Sequence, residues 1–159
     1  MNYTLRNYRQ GDAKGVKELI LAILAKEYPF DKSAYSDSDL DKIGEVYGGR
    51  NDTFLVVDED GTVVGTAGVK EDSPEDALLR RLFVDEKRRH LGYGTELLEK
   101  ALAFCREKGY RRIIFRCTDR MTDAMNLCMK KGFVETENLE VSGFRIHKLV
   151  LNILQEVHT

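Results

Sequence analysis

The sequence predicts a layered α/β (α+β) fold, one mixed sheet of about seven strands flanked by about four helices, in a single unit over residues 1–159. Three observations predict it. Segments with the two-residue period of strands and the 3.6-residue period of helices follow one another as β-α-α-β-β-β-α-β-α-β-β. The strand, helix, strand passage near the middle requires a crossover and hence a parallel pair. Hairpin-like pairs of strands, one before that crossover and one at the C-terminal end, require antiparallel pairing.

Tyr3 to Arg9 alternates polar and apolar residues, and Gln10-Gly11-Asp12 adds turn and cap chemistry, so a short strand leads into a helix. Val16, Leu19, Ile20, Ile23 and Leu24 form the apolar stripe of that helix, which ends at Tyr28-Pro29 because the residue before proline disfavours the helical region. A polar connection from Phe30, with Ser33, Ser36, Asp37 and Ser38, leads to a second helix over 39–47 whose start a Ser or Asp would cap. Residues 53–57 and 62–69 flank Asp58-Glu59-Asp60-Gly61 as a hairpin, and 77–84 is a further strand. Leu97, Leu98, Ala101, Leu102 and Cys105 mark one face of a helix closed by Lys108-Gly109. A strand over 112–117, a helix over 122–131 stopped by Gly132, and strands over 133–136 and 144–153 complete the chain.

Of 159 residues, 42% are hydrophobic, enough for one core. The balance of 25 Lys plus Arg against 27 Asp plus Glu leaves a net charge of −2, which excludes a long-range field for nucleic acid. The longest aliphatic run, Leu19 to Ala25, is far short of the ~20 residues a membrane span needs, and the polar start does not resemble a secretory signal. Three cysteines without a Cys-x-x-Cys pair suit a reduced chain, so a cytoplasmic location is expected. His90, His147 and His158 have no partners at metal-ligand spacing, and no metal is expected.

Chemistry is concentrated in Val84-Asp85-Glu86-Lys87-Arg88-Arg89-His90-Leu91-Gly92-Tyr93-Gly94-Thr95, between a strand and an amphipathic helix. Its spacing is Arg89-x-x-Gly92-x-Gly94. Glycines there let backbone approach a ligand, and the unpaired amides at a helix start suit a phosphate. The Walker spacing is absent, and Leu97 stands where a dinucleotide fingerprint needs a small residue. An ordinary basic turn exposed to water is the competing reading of these six positions. Tyr93 is expected to pack over the loop.

Leu82-Phe83-Val84, Arg88 to Gly94, the helix with Leu97-Leu98, Gly109-Tyr110-Arg111-Arg112-Ile113 and Lys130-Lys131-Gly132-Phe133 together resemble the GNAT superfamily of N-acetyltransferases, in order and on matching elements. The resemblance covers roughly Thr53 to Ile153 and implies a single N-acetyltransferase domain, with acetyl-CoA as cosubstrate and no metal. It implies that acetyl-CoA lies between the strand ending at Val84 and the strand from Arg112 to Cys117. It also implies that Arg89, His90, Leu91, Gly92, Tyr93, Gly94 and Thr95 hold the pyrophosphate, chiefly through amides. Leu82 and Val84 would pair with the pantetheine arm, and the Val84 amide would serve as oxyanion donor. Lys87 and Arg88 either approach the 3′-phosphate or stay in solvent. The family frequently dimerises, so a homodimer is an expected assembly.

Acetyl transfer to an amine of pKa ~10.4 needs help with a proton, since only about one molecule in 2,500 is neutral at pH 7. Leu78 stands where many members of the family carry a glutamate, and Cys128 stands where many carry a tyrosine acid. Cys128 is therefore either the general acid or an inert buried thiol. Glu71, with Asp72, is the candidate base by its place at the exit of the third strand, and Glu27 and Tyr28 are candidates to line the acceptor pocket. Arg80, Arg81 and Arg116 are candidates for a substrate carboxylate. The expected function is acetyl transfer from acetyl-CoA to a primary amine of a small molecule or protein, by direct attack. The alternative is a non-catalytic acyl-CoA-binding sensor or interaction module with a degenerate centre.

Overall fold

The structure, a computed structural model, describes residues 2–27, 38–141 and 143–153. Its elements are β1 (Tyr3–Asn7), α1 (Ala13–Glu27), α2 (Ile43–Val46), β2 (Thr53–Glu59), β3 (Thr62–Glu71), β4 (Asp76–Val84), α3 (Tyr93–Lys108), β5 (Arg112–Thr118), α4 (Thr122–Lys130), β6 (Val134–Val141) and β7 (Phe144–Asn152). The strands form one mixed sheet in the order β1-β2-β3-β4-β5-β7-β6. Its one parallel pair is β4 with β5, the crossover predicted from the sequence, and the other pairs are antiparallel. α1 packs over β3 and β4, and α3 over β2, β3 and β4. Among the described residues, no helix is long and apolar enough to cross a membrane.

The apolar stripes do what their spacing requires. Val16, Ile20, Ile23 and Leu24 of α1 and Leu97, Leu98, Ala101, Leu102 and Cys105 of α3 are all buried. Full burial of a leucine such as Leu97 or Leu98 contributes roughly 1.5–3 kcal/mol. The α3 helix ends at Gly109, whose φ of 82° is a left-handed cap that glycine adopts without steric cost. α1 is described as far as Glu27, and its expected end at Tyr28-Pro29 and the connection with Phe30, Ser33, Ser36 and Asp37 lie outside the described residues.

Two features open the sheet where chemistry is expected. The β4–β5 ladder runs only from Asp76↔Arg112 to Leu79↔Phe115, so the rest of β4 diverges from its neighbour. The divergence coincides with a bulge against β3, where Thr66 faces Phe83 but Gly68 faces Arg80, and Arg81 takes a φ of 55°. A bulge bends the strand that contains it. Here it turns the last residues of β4 away from β5.

The second helix is shorter than expected, Ile43–Val46 in place of 39–47. Asp39, at the expected start of that helix, turns its carboxylate to tertiary partners. It accepts hydrogen bonds from Arg81 Nε (3.1 Å) and Nη2 (2.5 Å) in the bulge and from the Tyr47 hydroxyl (2.7 Å). Gly68 leaves room for Tyr47, since a Cβ there would lie 2.9 Å from its Cε1. β6 is longer than the predicted 133–136 and is exposed along its whole length as the edge strand. An edge strand needs no apolar face, so Glu135, Glu137 and Glu140 hid it from a reading by hydrophobic period.

Candidate active site

The divergence of β4 and β5 opens a cleft of about 320 Å³, within the range of small-molecule sites. The end of β4 (Leu82, Phe83, Val84) and the following turn supply one wall, and α4 supplies the other. Of the residues expected to bind the cofactor, Leu82, Val84, Arg89, His90, Gly92, Tyr93, Gly94 and Thr95 all line it. Leu91 does not, being half exposed on the outside of the turn.

The backbone at Val84 is aimed into this cleft by strand geometry. Asp85 N–H donates to the Val64 carbonyl across the β3–β4 pair at 2.8 Å. Polar groups of consecutive strand residues point to opposite edges, so the N–H and C=O of Val84 face away from β3, toward the gap that β5 has vacated. The Val84 carbonyl accepts from Arg89 Nε at 3.1 Å, in agreement with that direction.

The turn presents a row of donors. His90 (φ 66°) and Gly92 (φ 90°) are both left-handed, and Gly92 caps α3. The amides of His90 through Thr95 have no acceptor among the described residues, and the first intrahelical bond is Glu96 N–H to the Gly92 carbonyl. Such amides at the positive end of a helix dipole make an anion cradle. Arg88, Arg89, His90 and Lys130 add basic side chains around it. Among the described residues that line the cleft Asp123 is the carboxylate, while Glu59, Asp85 and Glu27 pair with the two arginines from outside the lining. An elongated polyanion with an apolar arm matches this lining. These are the residues that would hold the pyrophosphate of acetyl-CoA.

The supporting contacts were not visible in the motif. Arg88 is braced by Glu59 (Nε to Oε1, 3.0 Å) and Asp85 (Nη1 to Oδ2, 3.0 Å), while exposed Lys87 is not on the cleft. Tyr93, expected over the loop, instead turns inward. It is buried, its hydroxyl donates to Glu59 at 2.8 Å, and its ring packs on Tyr3 at 4.6 Å between centroids. The Arg89 guanidinium donates twice to Glu27, at 2.6 and 2.7 Å.

The α4 wall, formed by Met121, Asp123, Ala124, Asn126, Leu127 and Lys130, was missed from the sequence. Its signal was the recurrence of Asp123, Asn126, Leu127 and Lys130 at three- and four-residue intervals, one helical face with mixed polarity. α4 packs so close that a Cβ on Gly94 would lie 3.2 Å from Leu127 Cδ2. Ahead of α4, both ring nitrogens of His147 on β7 meet carboxylates, Asp119 and Glu135. Those bonds, with Asp119 the larger influence, raise the imidazole above its ordinary pKa despite partial burial.

The candidate proton-transfer groups fare differently. Glu71 pairs with Ala77 at the far end of the β3–β4 hairpin, seven residues before Val84, or about 23 Å at the rise of a strand. It accepts from Asn51 Nδ2 at 3.0 Å there, too distant to act as base at Val84. The reading from loop order placed Glu71 near the site because it ignored that β4 carries the chain back across the sheet. Cys128 lies on α4 but faces inward, fully buried and absent from the cleft lining. Burial pushes its thiol up to about 12, so the proton it holds is a poor match for a thiolate of pKa ~8.5. Leu78, between Lys70 and Ile114, offers no replacement. Of the three arginines considered for a substrate carboxylate, Arg81 is buried against Asp39. Among the described residues, no cluster of His, Cys, Asp or Glu is placed to share a metal ion.

Comparisons with known proteins agree with this architecture. The Xenopus tropicalis protein named "Probable N-acetyltransferase camello" is 30% identical over 101 residues, covering 62% of this chain and 46% of that protein, so the match spans less than half of that relative's length. A GNAT-family acetyltransferase structure from Staphylococcus aureus Mu50 superposes with a TM-score of 0.82 at 22% identity, over 95% of this chain and 99% of the other. The structure of yncA from Salmonella typhimurium, solved with its cofactor acetyl-CoA, gives 0.77 at 18% identity, over 100% and 98%. At such identities these structures speak for the fold. The acetyltransferase (GNAT) family model matches residues 17–133, a span that runs from α1 through the cleft-forming β4, α3, β5 and α4, and the chain belongs to that family.

Proposed function

We propose that this protein transfers the acetyl group of acetyl-CoA to a primary amine, of a small molecule or of a protein, by direct attack within a ternary complex. The observation that carries this reading is the shared cleft. The Val84 N–H and the unaccepted amides of His90 through Thr95 open into it together. The amides and the cations around them bind a pyrophosphate, which fixes the thioester beside Val84. The Val84 N–H then donates to the carbonyl oxygen as charge builds there. The acceptor ammonium first gives one proton to solvent, the neutral amine nitrogen then bonds to the acetyl carbon, the carbon–sulfur bond breaks, and a second proton leaves the acylated nitrogen for solvent. The departing thiolate takes a proton from solvent as well. No covalent enzyme intermediate is needed.

A second reading retains acyl-CoA binding without turnover, as a sensor or interaction module, and is favoured by the inward-facing Cys128 and by Leu78. One experiment separates the two. The protein is incubated with acetyl-CoA and a broad panel of amines while release of the CoA thiol is followed. Turnover that depends on the amine is the expected result. Tight CoA binding without turnover across the panel would favour the module, and absence of CoA binding would sink both readings.

A further inference from the structure

The last turn of α1 is fastened to the turn that carries the cofactor motif. Lys26 Nζ lies 2.6 Å from Glu86 Oε2, and Glu27 receives two hydrogen bonds from Arg89. The second contact is unusual in its position. Arg89 is the first residue of the Arg89-x-x-Gly92-x-Gly94 turn and lines the cleft. Its Nε simultaneously holds the Val84 carbonyl at 3.1 Å. One guanidinium therefore separates the Glu27 carboxylate from the backbone against which the thioester would lie. The other carboxylates of the turn, Asp85 and Glu86, are held by Arg88 and Lys26. Glu27 is held by the cation that heads the phosphate cradle.

A guanidinium fork grips phosphate and carboxylate with the same two-pronged geometry. A pyrophosphate in the cradle brings competing oxygens to Arg89, and the pair it must disturb is 21% exposed on each side, open enough to exchange. We propose that Glu27 and the pyrophosphate of acetyl-CoA compete for Arg89, and that the exchange frees Glu27 as the carboxylate that binds the ammonium group of the acceptor. Cofactor occupancy thus completes the amine site. The inference rests on the acetyl-CoA reading above and adds to it a cationic acceptor and the residue that selects it.

The test is CoA titration by calorimetry on the wild type, Glu27→Gln, Arg89→Gln and the double variant, with thermal melts to confirm folding. Removing the competitor makes CoA bind about three- to tenfold tighter in Glu27→Gln, the range expected for a partly exposed charged hydrogen bond. Arg89→Gln weakens CoA, and adding Glu27→Gln to it changes nothing further. A purely structural fastening predicts the opposite, unchanged or weaker CoA binding in Glu27→Gln, and that result would overturn the proposal. With an amine turned over in the panel above, Glu27→Gln raises its KM about tenfold while kcat moves far less. An unchanged KM would defeat the acceptor role. A wild type that binds no CoA is a different failure, that of the acetyl-CoA reading itself.

Discussion

Two arginine–carboxylate pairs join the first third of the chain to β4 and the turn after it, and they differ in access to water. Arg81 and Asp39 are 5% and 4% exposed, with the Tyr47 hydroxyl completing the carboxylate's shell. Arg89 and Glu27 are each 21% exposed and stand on the wall of a cleft. A dry pair cannot trade partners, because either ion alone in the interior costs several kcal/mol. A half-wet pair can, because water and incoming anions take up the loss. The same chemistry therefore serves as a fixed brace at the bulge and as an exchangeable contact at the turn. Perturbing the brace changes stability; perturbing the turn changes binding.

The largest effect is expected at the brace. Asp39→Asn removes the carboxylate that neutralises buried Arg81 and costs about 3–5 kcal/mol, read from urea unfolding. Replacing Arg81 by Met as well restores part of that loss, and a single variant that loses less than about 1 kcal/mol would show that the pair is not a brace. Acid gives the same information. Burial alone would raise the Asp39 carboxyl, but hydrogen bonds from Arg81 and Tyr47 outweigh it and hold the group below its ordinary value. With its folded pKa depressed, Asp39 contributes stability above the unfolded value of about 3.9 and loses it as pH falls below that value. In Asp39→Asn the acid limb of the stability profile flattens.

At the turn, Gly92→Val is expected to weaken CoA binding about tenfold or more, because its φ of 90° is unfavourable for a β-branched residue and the added bulk stands beside the amide row. Nothing lies within 4 Å of the place a Cβ would occupy, so crowding within the protein contributes little. Gly92→Ala therefore shows an intermediate loss from backbone strain. Normal affinity in both variants, by calorimetric titration, would remove the cradle from the binding account.

What could be read in advance follows the same division. Periodicity placed the strands and helices, and the glycine spacing placed the turn, because both are signals between near neighbours in sequence. The expected span of α2 failed because Asp39, at its expected start, is held by Arg81, which lies 42 residues on. Glu27 was suggested by its nearness to the end of α1, but its partner is 62 residues away. Glu71 was misplaced because strand direction, not loop order, decides which end of a sheet a residue reaches. The α4 wall was overlooked because only its inward residues carry a clear apolar stripe. Cys128 belongs to that inward set, and Cys128→Ala is accordingly expected to cost on the order of 1 kcal/mol of stability while leaving turnover within about twofold. A fall in maximal rate at unchanged acetyl-CoA affinity would return the thiol to the chemistry.

The smallest expected effect sharpens the comparison most, because it lies one residue from Glu27. Lys26 and Glu86 are 70% and 51% exposed, although their 2.6 Å separation is as short as that of the neighbouring pair. Distance alone would rank the two contacts as equals. Neither Lys26 nor Glu86 lines the cleft, however, and no anion entering it competes for Lys26. Exposed pairs of this kind contribute little, since water screens them and their long side chains lose freedom when held. Lys26→Ala should therefore leave CoA affinity within about twofold of wild type, against the tightening expected for Glu27→Gln. Equal tightening in both variants would mean that CoA binding responds to loosening of the α1 end as a whole, and the exchange at Arg89 would lose its support.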